Sequence, residues 1–159
     1  MATGFGIIDW VDGEARYVAS GAIRTSGAEF PPRLRQIFEG VLELMREYRP
    51  AEVAIERVFM HRNADSALKL GQARGAALCA AFSTEPTVFE YAPREVKLAV
   101  VGKGGAQKEQ VQVMVMTLLK LSGELGPDAA DAIGIALCHA YSRQARLAVA
   151  IGAAAGATR

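Results

Sequence analysis

Three acidic side chains stand where this sequence could build a hydrolytic site. Glu56 closes a β-prone run, Ala51-Glu52-Val53-Ala54-Ile55-Glu56, and Asp128 and Asp131 follow Gly126-Pro127. In open α/β sheets ligands gather beyond the carboxyl ends of strands, which is where Glu56 falls. Proline suits the first helical position, so a helix opens at Pro127 with both aspartates in its first turn, three residues apart and on one face. Acids at a helix start are stabilised by the macrodipole by about 0.3–1 kcal/mol whatever else they do. The surroundings add more, because Ala129, Ala130, Ala132, Ile133, Ile135, Ala136 and Leu137 make the helix apolar on most sides. Such a helix packs deeply and carries its acids toward the sheet. Carboxylates brought together repel and require a cation or a shifted protonation; converging oxygen donors of this kind suit Mg²⁺ or Mn²⁺.

The other metal-ligating residue types do not join this set. His139 lies eleven residues beyond Asp128, about 16 Å along a helix, so it cannot share that ion and reads as a packed or solvated histidine. His61 stands beside Arg62 and reads as part of a phosphate-facing loop. Cys79 and Cys138 have no second thiol or histidine at zinc-finger spacing and read as reduced, small apolar side chains.

The elements that must position the acids follow from periodicity and turn chemistry. Residues 4–11 and 16–24 are β-prone and flank Asp12-Gly13, a strong hairpin signal. Pro31-Pro32 opens a segment with Leu34, Ile37, Phe38, Val41, Leu42 and Met45 at helical spacing, closed by Arg49-Pro50. After the run 51–56 comes an Ala- and Leu-rich helix from Asn63 to Phe82, then the β-prone 87–91, a short helix from Pro93 to Val101, a glycine loop at 102–105, and helices over 107–121 and 127–143. A hairpin followed by alternating strands and helices predicts an α/β architecture, a mixed sheet covered by helices. The predicted domain spans 1–143, and the Ala/Gly-rich remainder, 144–159, has little bulk to bury and is expected to be a disordered tail.

A chain of 159 residues with 51% apolar residues lies within the size of one domain, and one core suffices to hold it. No stretch reaches the roughly 20 apolar residues of a membrane span and the first residues form no export signal, so a soluble cytoplasmic protein is expected. The net charge of +1 hides a split: residues 1–60 carry seven basic and nine acidic side chains, whereas 61–120 carry eight basic and five acidic. The middle of the chain can therefore face an anion.

The run Ala54-Ile55-Glu56-Arg57-Val58-Phe59-Met60, followed by Asn63-Ala64-Asp65-Ser66-Ala67-Leu68-Lys69-Leu70-Gly71-Gln72-Ala73-Arg74-Gly75, closely resembles the RuvC crossover-junction endodeoxyribonucleases, the bacterial Holliday-junction resolvases. The resemblance continues through Val88-Phe89-Glu90-Tyr91-Ala92, Val96-Lys97, Val100-Val101-Gly102, Lys108, Gln110-Val111-Gln112, Thr117-Leu118-Leu119-Lys120 and Asp128-Ala129-Ala130-Asp131-Ala132, and covers about residues 2–141. It implies a ribonuclease-H-like fold, a homodimer, and a nuclease with two Mg²⁺ or Mn²⁺ ions per site that nicks opposing strands of a four-way DNA junction in recombination and repair. It also brings the RuvA–RuvB branch-migration complex into view as a partner.

Residue by residue, the resemblance carries Glu56, Asp128 and Asp131 onto three of the family's four metal-binding, catalytic carboxylates. Lys108 matches a basic residue near the family's site, Lys97 and Arg62 match DNA-backbone contacts, and Phe59 matches an aromatic used near the junction centre, where base stacking is worth about 1–3 kcal/mol. The fourth carboxylate belongs to a first strand with a Gly-Ile-Asp-Pro-Gly pattern that precedes the segment beginning here at Met1; this chain has no such run, and placing Asp9 there breaks the match around Asp12-Gly13. The chain is therefore expected to be N-terminally truncated relative to the family and to lack the first strand, which lies centrally between the strands matched by residues 3–10 and 51–56. The alternative to a resolving enzyme is a junction-binding protein impaired in catalysis.

Overall fold

The structure, a computed structural model, describes residues 1–57 and 63–156. Its elements run β1 (Ala2–Val11), β2 (Glu14–Arg24), α1 (Phe30–Tyr48), β3 (Glu52–Glu56), α2 (Ala64–Ala81), a 3₁₀ turn (Phe82–Thr84), β4 (Thr87–Tyr91), α3 (Pro93–Val101), α4 (Lys108–Leu118) and α5 (Pro127–Gly156). The predicted order of strands and helices is the observed one.

The hairpin forms because Asp12 (φ 55°) and Gly13 (φ 83°) both adopt left-handed backbone, the two-residue turn whose twist matches antiparallel strands. β1 and β2 pair antiparallel, with a register shift between Ile7 and Ile8, while β3 and β4 pair in parallel with Glu56 opposite Tyr91. The pairing is thus mixed, one pair antiparallel and one parallel. Among the described residues the strands form two separate pairs, β1 with β2 and β3 with β4.

Helix α5 lies against both pairs. It packs closely on β1 and also touches β2, β3 and β4. The close approach is permitted by two glycines: a Cβ at Gly4 would lie 2.0 Å from the Asp128 carbonyl oxygen, and one at Gly6 would lie 2.6 Å from Ile133 Cδ1. The opposite face of the hairpin is covered by α1. Ile23 is the cross-strand partner of Thr3, so its side chain shares the face of Thr3, away from Gly4 and Gly6, and it packs under Gly40 of α1. Helices α3 and α4 flank α5. Ile133 and Leu137 of α5 are fully buried with Val96, Val100, Val111 and Val115, each contributing about 1.5–3 kcal/mol by leaving water.

The segment from residue 144, expected to be disordered, instead continues α5 as helix through Gly156. Alanine is the strongest helix former, and a helix already nucleated in the core extends at little cost. Leu147, Val149 and Ile151 on this extension are exposed, so propensity rather than burial accounts for its helicity.

The Gly6 contact generates a test. Gly6→Ala should destabilise the protein by about 1–3 kcal/mol through overpacking, lowering the thermal midpoint by about 2–4 °C for each kcal/mol. Gly105→Ala, where nothing lies within 4 Å of the new methyl, should change stability by less than about 0.5 kcal/mol. Calorimetry of both variants checks the pair.

Candidate active site

Glu56 is the last residue of β3, and its strand end is held from two directions. The Arg57 backbone N–H donates to the Tyr91 carbonyl (2.8 Å), continuing the parallel ladder. Arg74, reaching from α2, donates its Nε to the Glu56 carbonyl at 3.3 Å and its Nη2 to the Glu90 carboxylate. Arg57 Nε lies 3.9 Å from the same Glu90 carboxylate. Asn63, accepting from the backbone N–H groups of Asp65 and Ser66, caps the start of the helix that carries Arg74.

Asp128 stands in the first turn of α5, with Pro127 opening the helix and the Ala130 N–H donating to the Gly126 carbonyl; Asp131 begins the next turn. Both aspartates are half-buried. Lys108, the first residue of α4, places its Nζ 2.8 Å from Asp131 Oδ2. The Glu56 carboxyl is pushed above its ordinary value, first by loss of solvation and then by the charge of Asp131, with Lys108 partly offsetting both. The residue is exposed overall, so it is the crowding around the carboxyl group that acts. Lys108 is in turn pushed up, by its hydrogen bond to Asp131, by the charge of that residue and, more weakly, by Asp128 and Glu56.

Of the three predicted carboxylates, Asp131 pairs directly with Lys108, and the charges of Asp128 and Glu56 act on it from farther away. The three come from a strand end and a helix start that are 72 residues apart in sequence at Glu56 and Asp128, and only the packing of α5 makes them neighbours. They do not form a closed cage: among the described residues no three His, Cys, Asp or Glu side chains stand close enough together to hold a metal ion. The donor set nonetheless fits a hard divalent cation. It offers only carboxylate oxygens, it is partly shielded from water, and its three negative charges are offset by a single lysine.

The remaining predicted residues divide by position. Lys97 lies half-buried on α3 and has no ion pair among the described residues. Phe59, Arg62 and His61 lie outside the described residues. Asp9 sits on β1 opposite Arg16, five residues along the strand from Gly4, or about 16 Å at 3.3 Å per residue, so it does not reach Asp128. His139, which the sequence left as packed or solvated, is packed at 8% exposure. Its Nε2 lies 3.0 Å from Glu52 and its Nδ1 2.8 Å from the Tyr91 hydroxyl, and Arg143 holds the same Glu52 carboxylate. Burial alone would raise the Glu52 pKa, but His139 and Arg143 outweigh it and bring it down.

A carboxylate site at the strand ends of a helix-covered mixed sheet is the arrangement of ribonuclease-H-like nucleases, and solved structures agree with the whole fold. The Thermus thermophilus RuvC structure superposes with a TM-score of 0.79 at 36% identity, covering 91% of this chain and 90% of that one. T. thermophilus RuvC in complex with Holliday junction substrate gives 0.81 at 37% identity, covering 89% and 88%. Crossover junction endodeoxyribonuclease RuvC of Methylococcus capsulatus is 58% identical over 142 residues, 89% of this chain and 86% of the relative. Its counterpart from Aeromonas hydrophila is 55% identical over 157 residues, 99% and 90%. The family model for crossover junction endodeoxyribonuclease RuvC matches residues 1–139. The chain belongs to the RuvC family.

Sequence reasoning did not single out Arg74 and Glu90 as positioning residues, although both stand in the runs that carry the resemblance. Arg74 is only 22% exposed, and a buried guanidinium needs partners, but an arginine in an Ala-rich helix does not reveal that one partner is a strand carbonyl 18 residues earlier.

The raised Glu56 pKa predicts a pH signature. A carboxyl raised in the folded state adds stability that is fully present below its unfolded value and is lost as pH rises through its folded value. Without divalent ions, Glu56→Gln should therefore raise the thermal midpoint at about pH 7 and leave it nearly unchanged at about pH 4, where glutamate is already mostly protonated. Thermal scans across that range measure it.

Proposed function

We propose that this chain resolves four-way DNA junctions by paired, divalent-metal-dependent nicks, acting in recombination and repair. The observation that carries the reading is the Lys108–Asp131 pair at 2.8 Å, with the charges of Asp128 and Glu56 also acting on that lysine, joined to family membership. A structural relative is titled as a complex with Holliday junction substrate, which supports the same substrate here.

Glu56, Asp128 and Asp131 would hold Mg²⁺, or Mn²⁺, with two ions per site. When bound, such ions supply an activated water and stabilise charge on the phosphodiester and its leaving oxygen. The chain's own residues do the rest. Arg74 fixes the Glu56 backbone, so the carboxylate is presented from a rigid strand end. The seating of α5 on Gly4 and Gly6 fixes Asp128 and Asp131. Lys108 neutralises charge on the phosphate oxygens, Lys97 and Arg62 hold the DNA backbone, and Phe59 stacks on a base at the junction centre.

A homodimer suits a substrate with two-fold symmetry. Helix α2 supports that assembly: Leu68 and Leu70 are 62% and 42% exposed, and Gly71 and Gly75 have open space beside them into which a second helix can close. Engagement with the RuvA–RuvB branch-migration complex and action in the cytoplasm complete the reading. Among the described residues no helix is long and apolar enough to cross a membrane.

Nicking of a synthetic four-way junction in Mg²⁺ tests the proposal. Glu56→Gln, Asp128→Asn and Asp131→Asn should each reduce the rate by more than about 100-fold, beyond the roughly 10–100-fold that follows loss of an outer-shell partner. Undiminished nicking in any of them overturns its assignment as a ligand. In a salt titration of junction binding, the Lys97→Ala/Lys108→Ala variant should lose about 1.8 from the slope of log K against log salt, roughly 0.9 for each phosphate contact. An unchanged slope would remove both lysines from the DNA surface.

A further inference from the structure

Lys108 combines a fixed base with a free end. Its backbone opens α4, where the Gln110 side chain accepts from the Gln107 N–H at 2.9 Å and holds the helix start in place. Its side chain is 72% exposed, with four rotatable carbons between the backbone and the charge. That charge sits on an oxygen the site needs for another purpose: Nζ is 2.8 Å from Asp131 Oδ2, and Asp131 has no other ion pair among the described residues.

We propose that Lys108 is a resident counter-cation, competing with the divalent ion for Asp131 and transferred to a substrate phosphate when the ion arrives, so that metal entry and phosphate capture are coupled through one side chain. The inference rests on the reading of Glu56, Asp128 and Asp131 as ligands.

Three physical points carry it. First, an Mg²⁺–oxygen distance is about 2.0–2.1 Å; an ion that close to Asp131 would stand within a few ångströms of an ammonium 2.8 Å from Oδ2, and two cations at that separation repel. Second, the half-buried Asp131 carboxylate needs a counter-charge before any divalent ion binds, and Lys108 Nζ is its one ion-pair partner among the described residues. Third, an exposed ion pair is weak enough to be exchanged. The displaced ammonium keeps three donors and no acceptor, and the non-bridging oxygens of a phosphodiester can receive them. Coupling of this kind is reciprocal: if metal binding frees Lys108 for phosphate, phosphate binding clears Asp131 for metal.

The test uses the full chain and Mn²⁺ alone, with free ion counted by electron paramagnetic resonance and no DNA present. Lys108→Met should bind Mn²⁺ about two- to fivefold more tightly than wild type, the factor by which a typical exposed ion pair competes, whereas Lys108→Arg, which keeps the charge, should not. Saturating Mn²⁺ should also speed acetylation of the Lys108 amine relative to Lys97, read by peptide mass spectrometry. With Ca²⁺ in place of Mn²⁺, the gain in four-way-junction affinity produced by the ion should be smaller in Lys108→Met than in wild type. Equal or weaker Mn²⁺ binding by Lys108→Met, or an unchanged acetylation rate, overturns the competition; an undiminished Ca²⁺ gain overturns the coupling. Asp131→Asn separates the two levels of the argument. If it loses Mn²⁺ while Lys108→Met behaves as wild type, only the counter-cation role fails. If Asp131→Asn binds Mn²⁺ undiminished, the ligand reading fails and takes this inference with it.

Discussion

The chemistry of this molecule depends on one packing contact, the seating of helix α5 on β1. Two pairs of strands that share no hydrogen bonds among the described residues are brought under a single helix, and that helix carries two of the three acids. The approach is closer than any side chain would allow, because the backbone of Asp128 lies where a Cβ of Gly4 would be. Interiors are close-packed and do not deform smoothly, so the glycines act as a stop that sets where the start of α5 sits relative to the sheet. Farther along, Trp10 meets Tyr141 edge to face with ring centroids 5.7 Å apart, and His139 ties α5 to both β3 and β4 through Glu52 and Tyr91.

Against that well-packed frame the acidic site is a place of unfavourable electrostatics. Glu56 and Asp131 repel, burial adds to the cost of the Glu56 charge, and a lysine on a long flexible stem supplies the only direct counter-charge found among the described residues. Groups arranged this way are poor for stability and good for holding cations, the familiar opposition between folding and function. The contrast with Glu52 is instructive. That carboxylate lies on the same strand, yet it is held by His139 and Arg143 and its pKa is lowered. One strand thus presents a satisfied acid at its start and an unsatisfied one at its end, and the unsatisfied one marks the site.

Much of this was legible in the amino-acid sequence, because it is local. The Asp12-Gly13 turn, the Pro127 helix start and the apolar periodicity of α1 follow from backbone sterics and side-chain spacing, and the element order follows from them. The acids at Glu56, Asp128 and Asp131 were legible as candidates from their places at a strand end and a helix start, and the motif runs around them identified the family. The helical continuation of α5 through Gly156 is local as well, because a lack of bulk governs burial whereas the helix propensity of alanine governs the backbone.

What only the tertiary structure decided is non-local. That Lys108 lies on Asp131, 23 residues away, that Arg74 holds the carbonyl of Glu56, and that His139 is shared between Tyr91 and Glu52 depend on how helices settle on strands. No spacing rule reaches across such separations, since a pairing between distant side chains is determined by the whole packed arrangement and not by the residues between them. The division of the strands into two pairs among the described residues is of the same kind, for the backbone ladder is set by which strands come side by side. The residues gave this protein its acids and its elements; the packing of α5 on two glycines made them a site.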